Sequence, residues 1–193
     1  MLEGKPMNAA RLFTCFSAFL LLTLTVKAQQ PASNPLAACG STNANFTVRN
    51  QTVSSIPNQP PPAKALVYVI ETMDNEGLFA TTKVNIGLDG NWIGATNANT
   101  HINFIVDPGV HHLCAVYQGA LKNMDGEGHT LLLHLNAQAG HVYYIRYHGL
   151  LFHDAPGLAF FEPVDEDEGL YLALGTDFAA STLNAKDRFA RPR

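Results

Sequence analysis

The fold of this chain is decided by Lys83–Cys114, KVNIGLDGNWIGATNANTHINFIVDPGVHHLC. Apolar and polar residues alternate on either side of Asp89-Gly90, which is the pattern of two strands joined by a tight hairpin turn. The alternation resumes at Ile102 and ends at Asp107-Pro108-Gly109, a second turn that leads into another apolar run. A period of two places every second side chain on the same face of a sheet. The stretch therefore predicts several short strands joined by turns that contain glycine.

The rest of the chain adds further strands on both sides of this stretch, and one helix. Ala65–Ile70 is a nearly continuous apolar run, which indicates a central strand covered on both faces. Asp165 precedes Glu168 by three residues, which is the pattern of a capping box at the start of a short helix. We therefore predict an all-β protein, a single antiparallel β-sandwich of the Ig/prealbumin-like type, with one short C-terminal helix.

Another hairpin is predicted between the apolar runs Leu131–Leu135 and His141–Tyr147. A three-residue loop with Gly140 in a left-handed conformation would join the two strands. In that register His134 lies opposite Tyr144. The residues expected to face each other on one side of the hairpin are Leu135 with Tyr143, Leu133 with Ile145, and Leu131 with Tyr147.

The N-terminus has the features of a secretory signal peptide. Lys5 and Arg11 form a basic region, Leu12–Val26 is a 15-residue apolar segment, and Ala28 ends a small-residue cleavage site. Fifteen residues are short for a membrane-spanning helix, which needs about 20. The predicted organisation is a signal peptide over 1–28, a low-complexity N-terminal segment with a Pro-rich linker over 29–62, a β-sandwich domain over 63–175 and a disordered C-terminal tail over 176–193.

The net charge of the mature chain disfavours two classes of partner, nucleic acids and anionic lipids. Cleavage before Gln29 would leave 9 Lys and Arg against 15 Asp and Glu residues, a net charge of −6. Nucleic-acid binding needs clustered Lys and Arg to neutralise phosphates, so this charge disfavours it, as it disfavours docking on anionic lipid. We expect an envelope protein or a glycan as partner, no nucleic acid, and a mature form that does not span the membrane.

The mature chain keeps two cysteines, Cys39 and Cys114. In an exported protein two cysteines most simply form a disulfide, which here would fix the N-terminal segment to the domain. Cys114 shares a strand face with Val116 and is expected to point inward. The alternative is that Leu36-Ala37-Ala38-Cys39 acts as a lipobox, so that Cys39 carries a lipid. The predicted location is periplasmic or extracellular, or lipid-anchored to the envelope in that alternative.

Five motifs occur in order along the chain: PPPAKALVYV over 60–69, LDGNWIG over 88–94, DPGVHHL over 107–113, AGHVYYIR over 139–146 and EPVDE over 162–166. Together they resemble a bacterial family of secreted or lipoprotein domains of unknown function, and more distantly the PEGA-type surface-layer domains. The resemblance covers about Pro60–Leu174 and implies an envelope-exposed β-sandwich without catalytic residues. Many members carry a lipid cysteine directly after the apolar segment, and this chain does not.

The chain contains eight histidines, but their spacing does not define a metal site. No His-x-x-x-His pair lies on a predicted helix, so a ligand set would have to be assembled across strands, and exposed histidines are the simpler expectation. Asp165–Glu168 could suggest calcium, but Gly169 stands where a third oxygen ligand is expected. The serines of the mature chain lie in the tails or the linker, away from any base. We therefore predict no catalytic residue, no metal ligand and no cofactor.

The function predicted from the sequence is a non-enzymatic, secreted cell-envelope module with a binding or structural role. The candidates for its binding surface are His134, Tyr144, Arg146 and Trp92, with the first three expected to meet in a groove. Two alternatives are a His-rich metal-binding envelope protein and a hydrolase of unfamiliar type. The hydrolase would be favoured if Arg146 or Glu162 were needed for an activity but not for folding.

Overall fold

The computed structural model describes residues 38–40, 44–72, 82–118, 130–148 and 160–184, all within the compact unit Ala32–Arg193. In chain order the elements are β1 (Phe46–Gln51), β2 (Ala65–Glu71), β3 (Lys83–Leu88), β4 (Asn91–Asn97), β5 (Thr100–Val106), β6 (Gly109–Tyr117), β7 (Thr130–Ala137), β8 (Val142–His148), β9 (Phe160–Val164), α1 (Glu166–Leu174) and β10 (Asp177–Leu183). The predicted signal peptide and its cleavage site lie outside the described residues.

The strands form two sheets. The six-stranded sheet has the order β1-β10-β5-β2-β8-β9, and the four-stranded sheet has the order β4-β3-β6-β7. The predicted all-β character with one short helix is confirmed. The predicted purely antiparallel arrangement is wrong, because β2 pairs with β8 and β10 pairs with β5 in parallel. Parallel pairing needs a long connection, and five strands of the chain separate β2 from β8.

A hydrophobic core lies between the two sheets. β2 is buried along its whole length, as its apolar run predicts, because β5 and β8 flank it. Val69 on one face of β2 joins Ile86 and Leu113 of the four-stranded sheet in this core. Tyr68 and Ile70 on the other face join a second cluster, where α1 packs against the sheet.

The Asp89-Gly90 hairpin is confirmed between β3 and β4. Both turn residues have positive φ, 49° at Asp89 and 84° at Gly90, which favours Gly, Asn and Asp in such a turn. The turn at Asp107-Pro108-Gly109 also forms, but it leads from β5 in the six-stranded sheet to β6 in the four-stranded sheet.

The predicted hairpin between β7 and β8 is wrong. β7 pairs with β6, whereas β8 pairs with β2 and β9, so the turn at Gly140 leads from one sheet to the other. Gly140 has the expected positive φ, at 80°. Leu131, Leu133 and Leu135 of β7 and the alternate residues of β8 still share one side, because both sets point into the core between the sheets. Alternation determines which face is buried, but not which strand lies alongside.

Two segments expected to lie outside the domain contribute strands to it. β1 lies within the predicted low-complexity segment over 29–62, where Phe46–Arg49 alternates between apolar and polar residues. β10 lies in the tail predicted to be disordered over 176–193, and it pairs with β1 over six residues. Its small side chains, such as the buried Ala179, gave a weak apolar signal. The boundaries at 63 and 175 therefore do not mark the ends of the sheets.

The C-terminal helix α1 is capped as predicted and packs closely against the six-stranded sheet. The side chain of Asp165 accepts a hydrogen bond from the Glu168 N–H at 2.9 Å. Gly169 faces the ring of Tyr144 so closely that a Cβ at this position would overlap it. Within the described residues, no helix has the length and apolar character needed to cross a membrane.

Candidate functional site

The side chains predicted to form a binding surface do not converge. His134 is exposed on the outer face of the four-stranded sheet, opposite to the core. Tyr144 is buried beneath α1 on the outer side of the six-stranded sheet. Arg146 lies on the same side as Tyr144, where it donates to the Thr72 hydroxyl at 3.0 Å and lies 3.5 Å from a Glu168 oxygen. The expected groove is absent among these residues, because β7 and β8 belong to different sheets.

Trp92 also lies on the outer face of the four-stranded sheet, but it packs against the N-terminal segment. The predicted disulfide holds that segment in place, with the Cα atoms of Cys39 and Cys114 5.4 Å apart. Cys114 is fully buried under the segment, on the outer face rather than in the core between the sheets. Gly87 permits the contact, because a Cβ there would lie 3.1 Å from the Cys39 Cα. Residues 38–40 thereby cover the part of this face around Cys114 and Trp92.

Another part of the outer face, formed by residues of β6 and β7, is exposed. We call it the outer strip, and it consists of Val110, His112, Leu132 and His134. Val110 is 56% and Leu132 47% exposed, although both are large aliphatic side chains within strands. His112 and His134 are direct cross-strand partners, with ring centroids 5.2 Å apart. The outer strip therefore combines two apolar side chains with a pair of imidazoles.

The backbone of His112 is fixed by the Asp89 turn. The Asp89 N–H donates to the His112 carbonyl at 3.0 Å, and Asp89 Oδ1 accepts from the His112 N–H at 2.8 Å. Asp89 Oδ2 lies 2.6 Å from His111 Nδ1. Burial lowers the pKa of His111, but the hydrogen bonds to Asp89 and to the Asp107 carbonyl outweigh it, so that this pKa is raised overall. Sequence analysis identified Asp89 only as a turn residue.

β7 is the edge strand that borders the outer strip. It pairs with β6 over eight consecutive residues without a register shift, and no described strand pairs with its other edge. Its sequence, TLLLHLNA, contains no Lys, Arg, Asp, Glu or Pro. Near its C-terminal end the Tyr143 hydroxyl donates to the Asn136 carbonyl at 3.3 Å. We therefore take residues 131–135 as the open part of this edge.

The comparisons with family models, curated proteins and solved structures gave no match. The resemblance of the five motifs to bacterial envelope domains of unknown function therefore stays a prediction. A function for the chain has to be inferred from the geometry and chemistry of its described side chains.

A second polar group lies on the outer side of the six-stranded sheet. His148 Nε2 is 2.6 Å from Glu162 Oε2, and its ring stacks on Phe160 with centroids 4.4 Å apart. Arg146 is the cross-strand partner of Glu162. A carboxylate that orients an imidazole is one part of a hydrolytic site, which also needs a nucleophile. The described serines lie on other elements: Ser54 and Ser55 between β1 and β2, and Ser181 on β10.

Glu71 is a buried carboxyl at the end of β2 that sequence analysis did not single out. It is 1% exposed, and neither its Oε2 nor Thr96 Oγ1 has a hydrogen-bond partner among the described residues. Burial raises the pKa of Glu71 to about 7. The nearby Thr96 hydroxyl lowers this pKa, although it is not placed to form a hydrogen bond with Oε2. The sequence does indicate that Glu71 is buried, because it continues the alternation by which Val67 and Val69 face the core.

The histidines differ more in their surroundings than their sequence suggested. His112, His134 and His141 are exposed, as expected for strand and loop histidines. His101 is fully buried, and its Nδ1 lies 3.0 Å from Thr176 Oγ1. Burial lowers the pKa of His101, so its ring stays neutral at neutral pH. The remaining candidates His129 and His153 lie outside the described residues.

Proposed function

We propose that this protein is a non-enzymatic, exported module of the cell envelope that binds an extended segment of another envelope protein through a β-sandwich of the Ig/prealbumin-like type. The edge of β7, with which no described strand pairs, is the observation that supports this proposal. A free strand edge presents backbone N–H and C=O groups to a further strand, and several peptide-binding domains capture extended ligands in this way.

The other three edge strands have features that disfavour such pairing. β1 contains Arg49, β9 contains Glu162 and Pro163, and β4 pairs with β3 through a register shift. Charges, proline and bulges are the features by which natural sheets protect their edges. β7 lacks all of them over its eight residues. It is therefore the edge best suited to accept a strand from another chain.

The side chains of β7 indicate what kind of segment would fit. Leu131 and Leu133 face the core but are only partly buried, so an added strand would cover them further. On the opposite face, the same strand would lie beside Leu132 and His134. We expect a segment with apolar side chains at alternate positions on the core side. A glycan has less support, because Trp92, an aromatic residue of the predicted binding surface, packs against the N-terminal segment.

The disulfide supports export, since such bonds persist mainly in oxidising compartments. It also disfavours the lipid anchor, because the sulfur of Cys39 that would carry the lipid is bonded to Cys114. We propose a periplasmic or extracellular location for a mature chain that begins at Gln29. N-terminal sequencing of the protein from its own host tests this, and a chain beginning with an acylated Cys39 would contradict it.

We also propose that the group around His148 has no hydrolytic role. Its imidazole is oriented by Glu162, but none of the described serines lies on the same elements. The alternative, a hydrolase of unfamiliar type, predicts a hydrolytic activity that is lost in Glu162→Gln while the circular dichroism spectrum is unchanged.

Strand addition can be tested by site-specific photo-crosslinking in the native host. A crosslinker at His134 should give one adduct with an envelope protein, and a crosslinker at Arg49 on β1 should give none. Leu132→Lys adds a charge at the β7 edge and should abolish the adduct. Val110→Lys adds the same charge on β6, away from the edge, and is the matched control. In the purified complex, the amides of residues 131–135 should exchange hydrogen more slowly than in the free protein.

Three results would contradict the proposal. An adduct that forms equally well from Arg49 would show that β7 is not the preferred edge. An adduct that survives Leu132→Lys, or a complex in which amide exchange over 131–135 is unchanged, would exclude strand addition. A crosslink to a second copy of this chain would replace the heterologous partner with self-association.

A further inference from the structure

We infer from the structure that His112 and His134 form a binding site for a divalent transition-metal ion. The inference does not depend on strand addition at β7. Neutral imidazole is a good ligand for zinc, nickel and copper ions, and two imidazoles on neighbouring strands can chelate one ion.

The separation of the two rings matches that of two imidazoles bound to one ion. A metal–nitrogen bond of about 2.0 Å places each ring centroid about 3 Å from the ion, and a tetrahedral angle then separates the centroids by about 5 Å. The centroids of His112 and His134 are 5.2 Å apart. Their planes are inclined by 44°, so the rings are tilted rather than stacked on each other.

The ring nitrogens of this pair are available, in contrast to those of neighbouring histidines. Among the described residues, neither ring of the pair has a hydrogen-bond partner. Both ring nitrogens of His111 are occupied, by Asp89 and by the Asp107 carbonyl. His148 Nε2 is occupied by Glu162.

The pair is held in position before any ion binds. The β6–β7 ladder continues over eight residue pairs and includes the pairing of His112 with His134. Asp89 fixes the backbone of His112 through two hydrogen bonds, and the disulfide at Cys114 lies two residues further along β6. Ligands held on rigid strands lose little conformational freedom on binding, which favours chelation.

The site would leave part of the metal coordination open. No group of three or more His, Cys, Asp or Glu side chains that could hold a metal ion is found in the part of the chain that the structure describes. The pair therefore supplies two ligands, and water or a group from another molecule would complete a tetrahedral ion. A structural zinc site, by contrast, is closed by four protein ligands.

Calorimetric titration of the untagged mature chain with Zn²⁺ and with Ni²⁺ tests the inference. Because chelation makes the second imidazole an intramolecular ligand, His112→Ala and His134→Ala should each weaken binding by roughly 100-fold. The double variant should bind no more tightly than either single variant. His141→Ala removes an exposed histidine from the turn between β7 and β8 and should leave the affinity unchanged. Imidazole ¹H–¹⁵N spectra should show the signals of His112 and His134 shifting together with Zn²⁺.

The inference is overturned if the wild-type chain shows no saturable binding up to about 1 mM metal. It is also overturned if either single variant keeps the wild-type affinity, or if the two imidazole signals do not respond. Both histidines are exposed, and circular dichroism of each variant verifies that a lost affinity does not result from unfolding.

Discussion

Replacing Glu71 with glutamine should remove a pH-dependent loss of stability that the buried carboxyl imposes on the fold. Glu71 lies in the core at the end of β2, and its Oε2 has no hydrogen-bond partner among the described residues. An ionised carboxylate in such a position loses its hydration, and the nearby Thr96 hydroxyl offsets only part of that loss. Glutamine has nearly the same size and shape but remains neutral at every pH.

The size of the effect follows from the pKa of Glu71. Burial raises it from 4.5 to about 7, so the folded chain binds this proton more tightly than the unfolded chain. The free energy of unfolding is therefore highest, with respect to this group, below pH 4.5, and it falls as the pH rises through 7. At about 1.4 kcal/mol per pH unit, the loss is about 3 kcal/mol by pH 8. Tyr147 is its cross-strand neighbour and stays neutral, because burial raises the pKa of that phenol further.

Urea unfolding of the wild type and of Glu71→Gln between pH 4.5 and pH 8 measures this effect. The free energy of unfolding of the variant minus that of the wild type should increase by about 3 kcal/mol across this range. Groups such as His111 titrate in both proteins and cancel in the difference. Glu166→Gln alters an exposed carboxylate and is the matched control. A difference that stays constant, or one that decreases with rising pH, would refute the reasoning, because Glu71 would then be ionised and stabilised in the folded chain.

Three further predictions follow from the packing. Cys39→Ser opens a loop with a sequence separation of 75 and should lower the free energy of unfolding by roughly 4 kcal/mol in urea titrations, with no further loss on adding a reductant. Gly169→Ala places a Cβ against the ring of Tyr144 and should destabilise the fold by about 1–3 kcal/mol in thermal melts. Asp89→Asn removes the carboxylate that raises the pKa of His111, so an NMR titration should show that pKa falling.

The elements that sequence analysis predicted well depend on neighbouring residues alone. The Asp89-Gly90 turn needs residues that tolerate positive φ, and the Asp165 cap needs a carboxylate three residues before a free N–H. The apolar run over 65–70 indicates a strand buried on both faces wherever its neighbours come from. The turn, the helix cap and the buried strand can each be predicted from a few consecutive residues.

The pairing of strands could not be predicted in the same way, because it depends on residues far apart in the chain. β7 and β8 are separated by a short turn, and a hairpin is the simplest interpretation of such a sequence. The structure instead places them in different sheets, with Leu133 and Ile145 both turned toward the core between the sheets. β10 was missed because Ala179 and its small neighbours resemble the composition of a tail.

The outer strip could not be predicted for the same reason. His112 and His134 become neighbours only through the register of β6 with β7, and these strands are separated by twelve residues of sequence. A connection of that length does not fix the register as a two-residue hairpin loop does. The prediction included His134, but with Tyr144 and Arg146 as neighbours, on the assumption that β7 and β8 pair. The assumed partner strand was wrong, because β7 pairs with β6.

The extent of the exposed outer face is determined by the N-terminal segment. Val110, His112 and Cys114 follow one another on the same face of β6, because side chains alternate along a strand. The disulfide at Cys114 anchors the segment, which covers the sheet toward Trp92 and leaves the two residues nearer to the start of β6 open. An attachment one residue earlier or later would turn the cysteine toward the core and leave the segment unanchored on this face. A partner that binds along β7 therefore meets imidazoles and aliphatic side chains, while the indole is packed against the segment.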